Sequence, residues 1–176
     1  MEMMIKGLVR NKNLYRTLNI FSYSTNGLPG LEIRVGTKSS RILKEKIIYL
    51  SRKLDVKIPI KRYVICVEEG ENFLHSSELN HLELPILILY WCLASQISIS
   101  KLDDCICGGT VSLEGIIRPL NIEGEYLRFF ENREGVKVWK VIAGPAQIEC
   151  RNLLRLPIED LINLPLVGDK LKSITS

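Results

Sequence analysis

The chain has 176 residues, 46% apolar and 25% charged, a composition that suits one globular domain with a substantial core. Its net charge of +4, from 24 basic and 20 acidic residues, is too small to announce a nucleic-acid partner, so the distribution of charge matters more than the sum. Five cysteines, an odd number, and an opening stretch "MEMMIKGLVRNKN" without the long apolar core of a secretory signal point to a reducing cytoplasm.

In chain order, Leu18–Tyr23 is rich in β-formers, and Leu31, Ile33 and Val35 alternate with polar neighbours as a half-buried strand does. The intervening "STNGLPG" turn is expected to join these two strands as an antiparallel hairpin. Leu43, Ile47, Leu50 and Leu54 mark one face of a helix from about Ser40 to Leu54, with the Ser39 or Ser40 hydroxyl available to cap it. "YVICV", Tyr63–Val67, is apolar at every position and suits a central strand covered on both faces.

The acidic stretch "EEGENFLHSSELNH" reads as a loop. It leads into an apolar helix from Leu84, where Pro85 is tolerated in the first turn. Ser95 and Gln96 interrupt that apolar run before it reaches the roughly 18–20 residues that cross a bilayer, so a buried helix is expected and no membrane partner.

Next come a strand at Cys105–Leu113, a turn with Gly115 and Pro119, a helix near Ile122–Asn132 and a strand at Val136–Gly144. Helical pieces at Ala146–Leu154 and Ile158–Leu164 complete the pattern. The expected architecture is a single α/β (α+β) domain over residues 1–176, a mixed sheet that begins with an antiparallel hairpin and is covered by helices.

The chemistry is sparse. The sequence has no phosphate-gripping G-x-x-x-x-G-K-[ST] motif. "GLPG" cannot replace it, because Pro29 lacks an amide hydrogen and a strand, not a helix, follows. His75, Glu78, His81 and Cys66 match no zinc spacing, and Cys105 and Cys107 are one residue closer than Cys-x-x-Cys, so a solvated loop and buried thiols are the expectation, with no metal or other cofactor. Spacing singles out none of Ser76, Ser77, Ser112 or the cysteines as a nucleophile.

Charge is more informative. From Lys38 to Arg62 nine basic residues face only Glu45 and Asp55, a local net charge of +7 against +4 for the whole chain. Of these, Lys38, Arg41, Lys44, Arg52, Lys53, Lys57, Lys61 and Arg62 are the candidates for contacting DNA phosphates. Glu45 and Ile48 share the outer face of the expected helix with Arg41, Lys44 and Arg52, so the basic face is interrupted. Lys6, Arg10, Lys12 and Arg16 form a second basic cluster, and Glu68, Glu69, Glu71, Glu78 and Glu83 an acidic counterpart, an arrangement that suits self-association or a protein partner.

Four stretches, in order, resemble one family. "STNGLPGLEIRVG", "LELPILI", "GTVSLEGIIRPL" and "VIAGPAQIECRNLL" are similar to motifs of the magnesium-chelatase-like proteins of the competence protein ComM type, over about Lys6–Lys170. In that family the segment is an N-terminal domain with the fold of the Lon protease proteolytic domain, ahead of an AAA+ ATPase module. The present sequence stops where that module would begin, so the resemblance does not carry over ATP-dependent branch migration.

Active Lon-like peptidases pair a serine after a proline with a lysine. Here Ile86 stands in the first position and Gly124 in the second, and neither can serve in a Ser-Lys dyad. Glu83 and Thr110 replace the family's Asp and Glu, and the loop before the apolar helix departs from the family pattern. The resemblance thus implies a catalytically inactive Lon-like domain that binds DNA or supports assembly of a DNA-processing complex, with DNA, further copies of itself or a separate ATPase as partners. Two alternatives stay open: a divergent serine peptidase using Ser76 or Ser77, and a remnant or protein-binding module using the acidic loop.

Overall fold

The structure, a computed structural model, describes residues 1–36, 38–68, 74–123, 127, 138–144 and 152–167. Ten strands and three α-helices succeed one another among the fully described segments. The first part comprises β1 (Glu2–Asn11), β2 (Leu14–Thr25), β3 (Gly30–Val35), β4 (Lys38–Ser39), α1 (Arg41–Lys53) and β5 (Arg62–Val67). The second comprises α2 (Ser76–Asn80), α3 (Glu83–Leu93), β6 (Cys105–Cys107), β7 (Gly109–Val111), β8 (Ile117–Pro119), β9 (Trp139–Ala143) and β10 (Leu153–Pro157). The chain is therefore a mixed α/β structure.

Eight strands form one sheet in the order β10-β9-β6-β1-β2-β5-β3-β4, while β7 and β8 form a separate antiparallel ribbon. Strands β2 and β4 oppose the other six in direction. The sheet does begin with an antiparallel hairpin, but it is β1–β2, closed by Lys12 and Asn13 between the paired Asn11 and Leu14.

The "STNGLPG" turn is not a hairpin. It joins β2 to β3, and β5 lies between them, antiparallel to β2 and parallel to β3. The turn arches over the start of β5, where Thr25 and Gly30 both lie opposite Arg62. The Gly30 amide donates to the Lys61 carbonyl at 3.1 Å. The cause is in β5 itself: Tyr63, Val64 and Ile65 are all buried, which only a strand with neighbours on both edges and cover on both faces allows.

The core follows the side-chain alternation of the strands. Ile5 and Val9 of β1, Leu18 and Ile20 of β2, Ile33 of β3 and Ile65 of β5 join Leu43, Ile47 and Leu50 of α1 and Leu84 and residues 86–93 of α3 in one core. Leu8, Ile106, Val141 and Leu153 form a smaller cluster with Ile122. Every residue of α3 is buried, because β1, β2, β5, β7 and α1 all contact it, as a helix apolar on all sides beyond Glu83 requires. A polar clip ties the two long helices: Trp91 Nε1 donates to Ser51 Oγ at 2.9 Å, and that hydroxyl donates to the Ile47 carbonyl at 2.9 Å.

Other expectations change. Ser40 stands at the start of α1, but its hydroxyl makes no capping bond; its backbone joins Ile33 and Lys44 instead. The stretch read as a loop contains α2. The Cys105–Leu113 strand is broken at Gly108, where an added Cβ would stand 2.2 Å from the Leu8 carbonyl oxygen. Only glycine permits the chain to pass so close to β1 before Gly109, at a φ of +151°, turns it into the ribbon.

Leu153 and Leu154, expected to end a helix, belong to β10, because they pair with Trp139 and Lys140 of β9. The segment after Pro157 is a single 3-10 turn, Ile158–Asp160, instead of a helix to Leu164. Most of the helix expected near Ile122–Asn132, Val136 and Lys137 of the next strand, and 145–151 fall outside the described residues.

Candidate nucleic-acid interface

Helix α1 buries Leu43, Ile47, Leu50 and Ser51 and turns the opposite face outward. At 100° per residue Arg41, Lys44, Glu45, Ile48 and Arg52 share that face. Arg41 and Arg52 are exposed and Lys44 is half-buried. Their separation along the axis is about 16 Å at 1.5 Å per residue. Among the described residues none of the three makes an ion pair.

The two ends of α1 differ electrostatically. Arg52 and Lys53 lie in the last turn, where the helix macrodipole favours cations. Arg41 and Lys44 lie in the first turn, which has no acidic residue to offset them, so the dipole opposes both charges by a few tenths of a kcal/mol each. Among the described residues neither side chain has an ion-pair partner to recover that cost.

The remaining members of the basic segment do not gather on this face. Lys53 Nζ donates to the Leu113 carbonyl at 2.8 Å and lies 5.8 Å from the centre of the Tyr49 ring. Lys57 and Lys61 are exposed on the connection between α1 and β5, beyond the helix. Arg62 shares the face of β5 that carries Val64 and Cys66, whereas Tyr63, Ile65 and Val67 face the helices, so Arg62 lies across the sheet from α1. Its guanidinium bonds Glu32 at 3.0 Å, and Arg34 bonds the other oxygen of that carboxylate at 2.6 Å. The Arg62 and Arg34 bonds together hold Glu32 below its usual carboxylate range. Only the backbone of Lys38, in the short edge strand β4, is described.

The other charge clusters are largely consumed inside the fold. Arg16 grips Glu78 at 3.0 and 3.2 Å, although they are 62 residues apart. Burial alone would raise the Glu78 carboxyl, but the His75 amide and the Arg16 guanidinium outweigh it and hold it below the ordinary range. Lys46 bonds the buried Glu83 at 2.6 Å. Lys6 bonds Asn19 and lies 5.5 Å from the Trp139 ring centre. Two of the five expected surface acids are thus internal partners of basic residues, while Glu69 and Glu71 fall outside the described residues.

Of the other chemistry-bearing residues, Ile86 is fully buried in α3 and Gly124 lies outside the described residues. Ser76 and Ser77 are exposed on α2, and no hydrogen bond joins either to a lysine or histidine among the described residues. His81 Nδ1 accepts the Arg10 amide at 3.1 Å, a bond that fixes it as a neutral imidazole. Burial pushes the Cys92 and Cys105 thiols up to about 12 and holds Cys107 well above the ordinary thiol range, so all three remain protonated.

The chain matches no protein-family model and no curated protein sequence. No described helix is long and apolar enough to cross a membrane.

Proposed function

We propose that this chain is a DNA-binding domain that grips the phosphate backbone through the outer face of α1, on a Lon-like scaffold without peptidase activity. The observation that carries the reading is the row Arg41–Lys44–Arg52: three cations without ion-pair partners among the described residues, two of them placed against the helix dipole. Laid along the duplex axis, a row of about 16 Å matches the axial rise of roughly five phosphates of one strand at 3.4 Å each. Such contacts position the protein on a duplex and carry no sequence information. Exposed Lys57 and Lys61 extend the same charge beyond the helix.

The order of the four family-like motifs supports the Lon-like scaffold, and Ile86 in place of the serine supports the absence of peptidase chemistry. The proposed role is to hold DNA for a separate machinery, with a partner ATPase or further copies of the chain as the other components. Cytoplasmic residence fits the protonated, buried thiols.

A salt titration of duplex-DNA binding, read by fluorescence anisotropy, tests the proposal. The chain is expected to bind with a micromolar or weaker dissociation constant, about 10⁻⁴–10⁻⁶ M, that weakens steeply with salt. Changing Arg41, Lys44 and Arg52 together to Glu should lower the slope of log K against log salt by about 3 with the thermal transition intact. Absent binding at low salt, or an unchanged slope in the triple variant, would remove the proposal.

A further inference from the structure

A second site lies away from that row. An open cleft of about 640 Å³ runs between α1, the start of α3 and the β7–β8 ribbon. The volume falls within the roughly 300–1,000 Å³ of small-molecule sites. Thr110 lies directly opposite Arg118 in the ribbon, and Ser112 follows at the next position of the same parity, so their side chains share one face and line the cleft.

The hydrogen-bond capacity left in the cleft is dominated by donors. Both oxygens of Glu83 are committed, one to Lys46 Nζ at 2.6 Å and the other to the Val111 amide at 3.0 Å. Ser112 Oγ accepts the Glu114 and Ile116 amides, each at 3.2 Å, which leaves its own proton to be given away. The Thr110 hydroxyl, the Asn80 amide and the Arg118 guanidinium have no partner among the described residues. The other carboxylate on the lining, Glu114, is exposed.

These donors need an oxyanion, and the charge count selects its valence. Glu83 already neutralises Lys46, so among the described lining residues Arg118 is the cation left for a ligand. Glu114, exposed like Arg118 on the same lining, disfavours a second negative charge, which suits a monoanion and the planar fork of a carboxylate better than a phosphate dianion. Val111, Ile116, Leu166 and Val167 supply an apolar wall beside them. We propose that this cleft binds a small carboxylic acid, with its carboxylate on Arg118, Thr110 and Ser112 and its hydrocarbon body against that wall.

Hexanoate is the probe, with hexanol, hexylamine and inorganic phosphate as comparisons. Hexanoate should shift the amide resonances of Thr110, Ser112 and Arg118, and Arg118→Gln should weaken it by about tenfold. Thr110→Val, which keeps the strand, should weaken it to a lesser degree. DNA binding should be unchanged in both variants, so the two proposals stand or fall separately. The inference is overturned by no hexanoate shift, by equal affinity for hexanol, by unaltered affinity in Arg118→Gln, or by phosphate binding that hexanoate fails to displace.

Discussion

Single residues show how closely packing and charge are specified. At Gly108 the Leu8 carbonyl occupies the place of a side chain, so Gly108→Ala must push two strands apart. A loss of about 3 kcal/mol is expected in denaturant unfolding, or failure to fold; a loss below ~1 kcal/mol would show that the chain can bend away. His81 gives a pH signature. Burial lowers its pKa from 6.5, with the Arg10 guanidinium acting in the same direction, so the unfolded chain takes up the proton first. Stability should therefore be full above about pH 6.5 and fall as the pH drops below that value. Thermal melts across this range should show the loss, and His81→Gln, which retains an acceptor without titrating, should flatten it. A further loss from Glu78 follows as the pH falls below 4.5 toward its lowered folded value. Nothing in the local sequence around His75–His81 signals these roles, because Arg10 and Arg16 are remote in sequence.

At the level of elements, helix ends were legible from hydrophobic spacing but not from stop signals. Both long helices end in a Schellman motif without glycine. The Val56 amide bonds the Ser51 carbonyl and the Asp55 amide the Arg52 carbonyl, with Asp55 at a φ of +53°. Gln96 and Ser95 repeat the arrangement on Trp91 and Cys92, with Ser95 at +59°. Asp55→Gly should relieve the left-handed strain and stabilise the protein by about 0.5–1 kcal/mol, measured by chemical denaturation. The β1–β2 hairpin has no cue in the sequence for a similar reason: its turn places Lys12, at a φ of +54°, where glycine or asparagine is the usual signal. The Lys46–Glu83 pair joins α1 to α3 and, through the Val111 amide, to the ribbon. Lys46→Met leaves the Glu83 carboxylate buried without its cation and should cost about 3 kcal/mol or more. An unchanged unfolding midpoint would mean that water takes over for the lysine.

For the whole molecule, the strand order predicts a gradient of protection. The central strands β1, β2 and β5 have neighbours on both edges, while β4 and β10 end the sheet. Native-state hydrogen exchange should find the slowest amides in β5 and its neighbours and the fastest in the two edge strands. Equal protection of β4 and β5 would contradict the order. The interleaving of β5 between β2 and β3 is also why the "STNGLPG" turn cannot close as a hairpin: the arch has to leave room for a strand that arrives later in the chain.

The sequence by itself determined the periodic parts. The α1 stripe, the all-apolar β5 and the uniformly buried α3 follow from which side chains water rejects, and that information is local. It also placed the cations of α1 on an outer face. Tertiary structure alone decided which strands became neighbours, where Gly108 breaks a strand, and which charges stay available. Arg16, Lys46 and Arg62 look alike in the sequence to Arg41, Lys44 and Arg52. The first three lose their freedom to Glu78, Glu83 and Glu32, carboxylates brought near them only by folding, because charge pairing depends on distance in space and not on spacing along the chain.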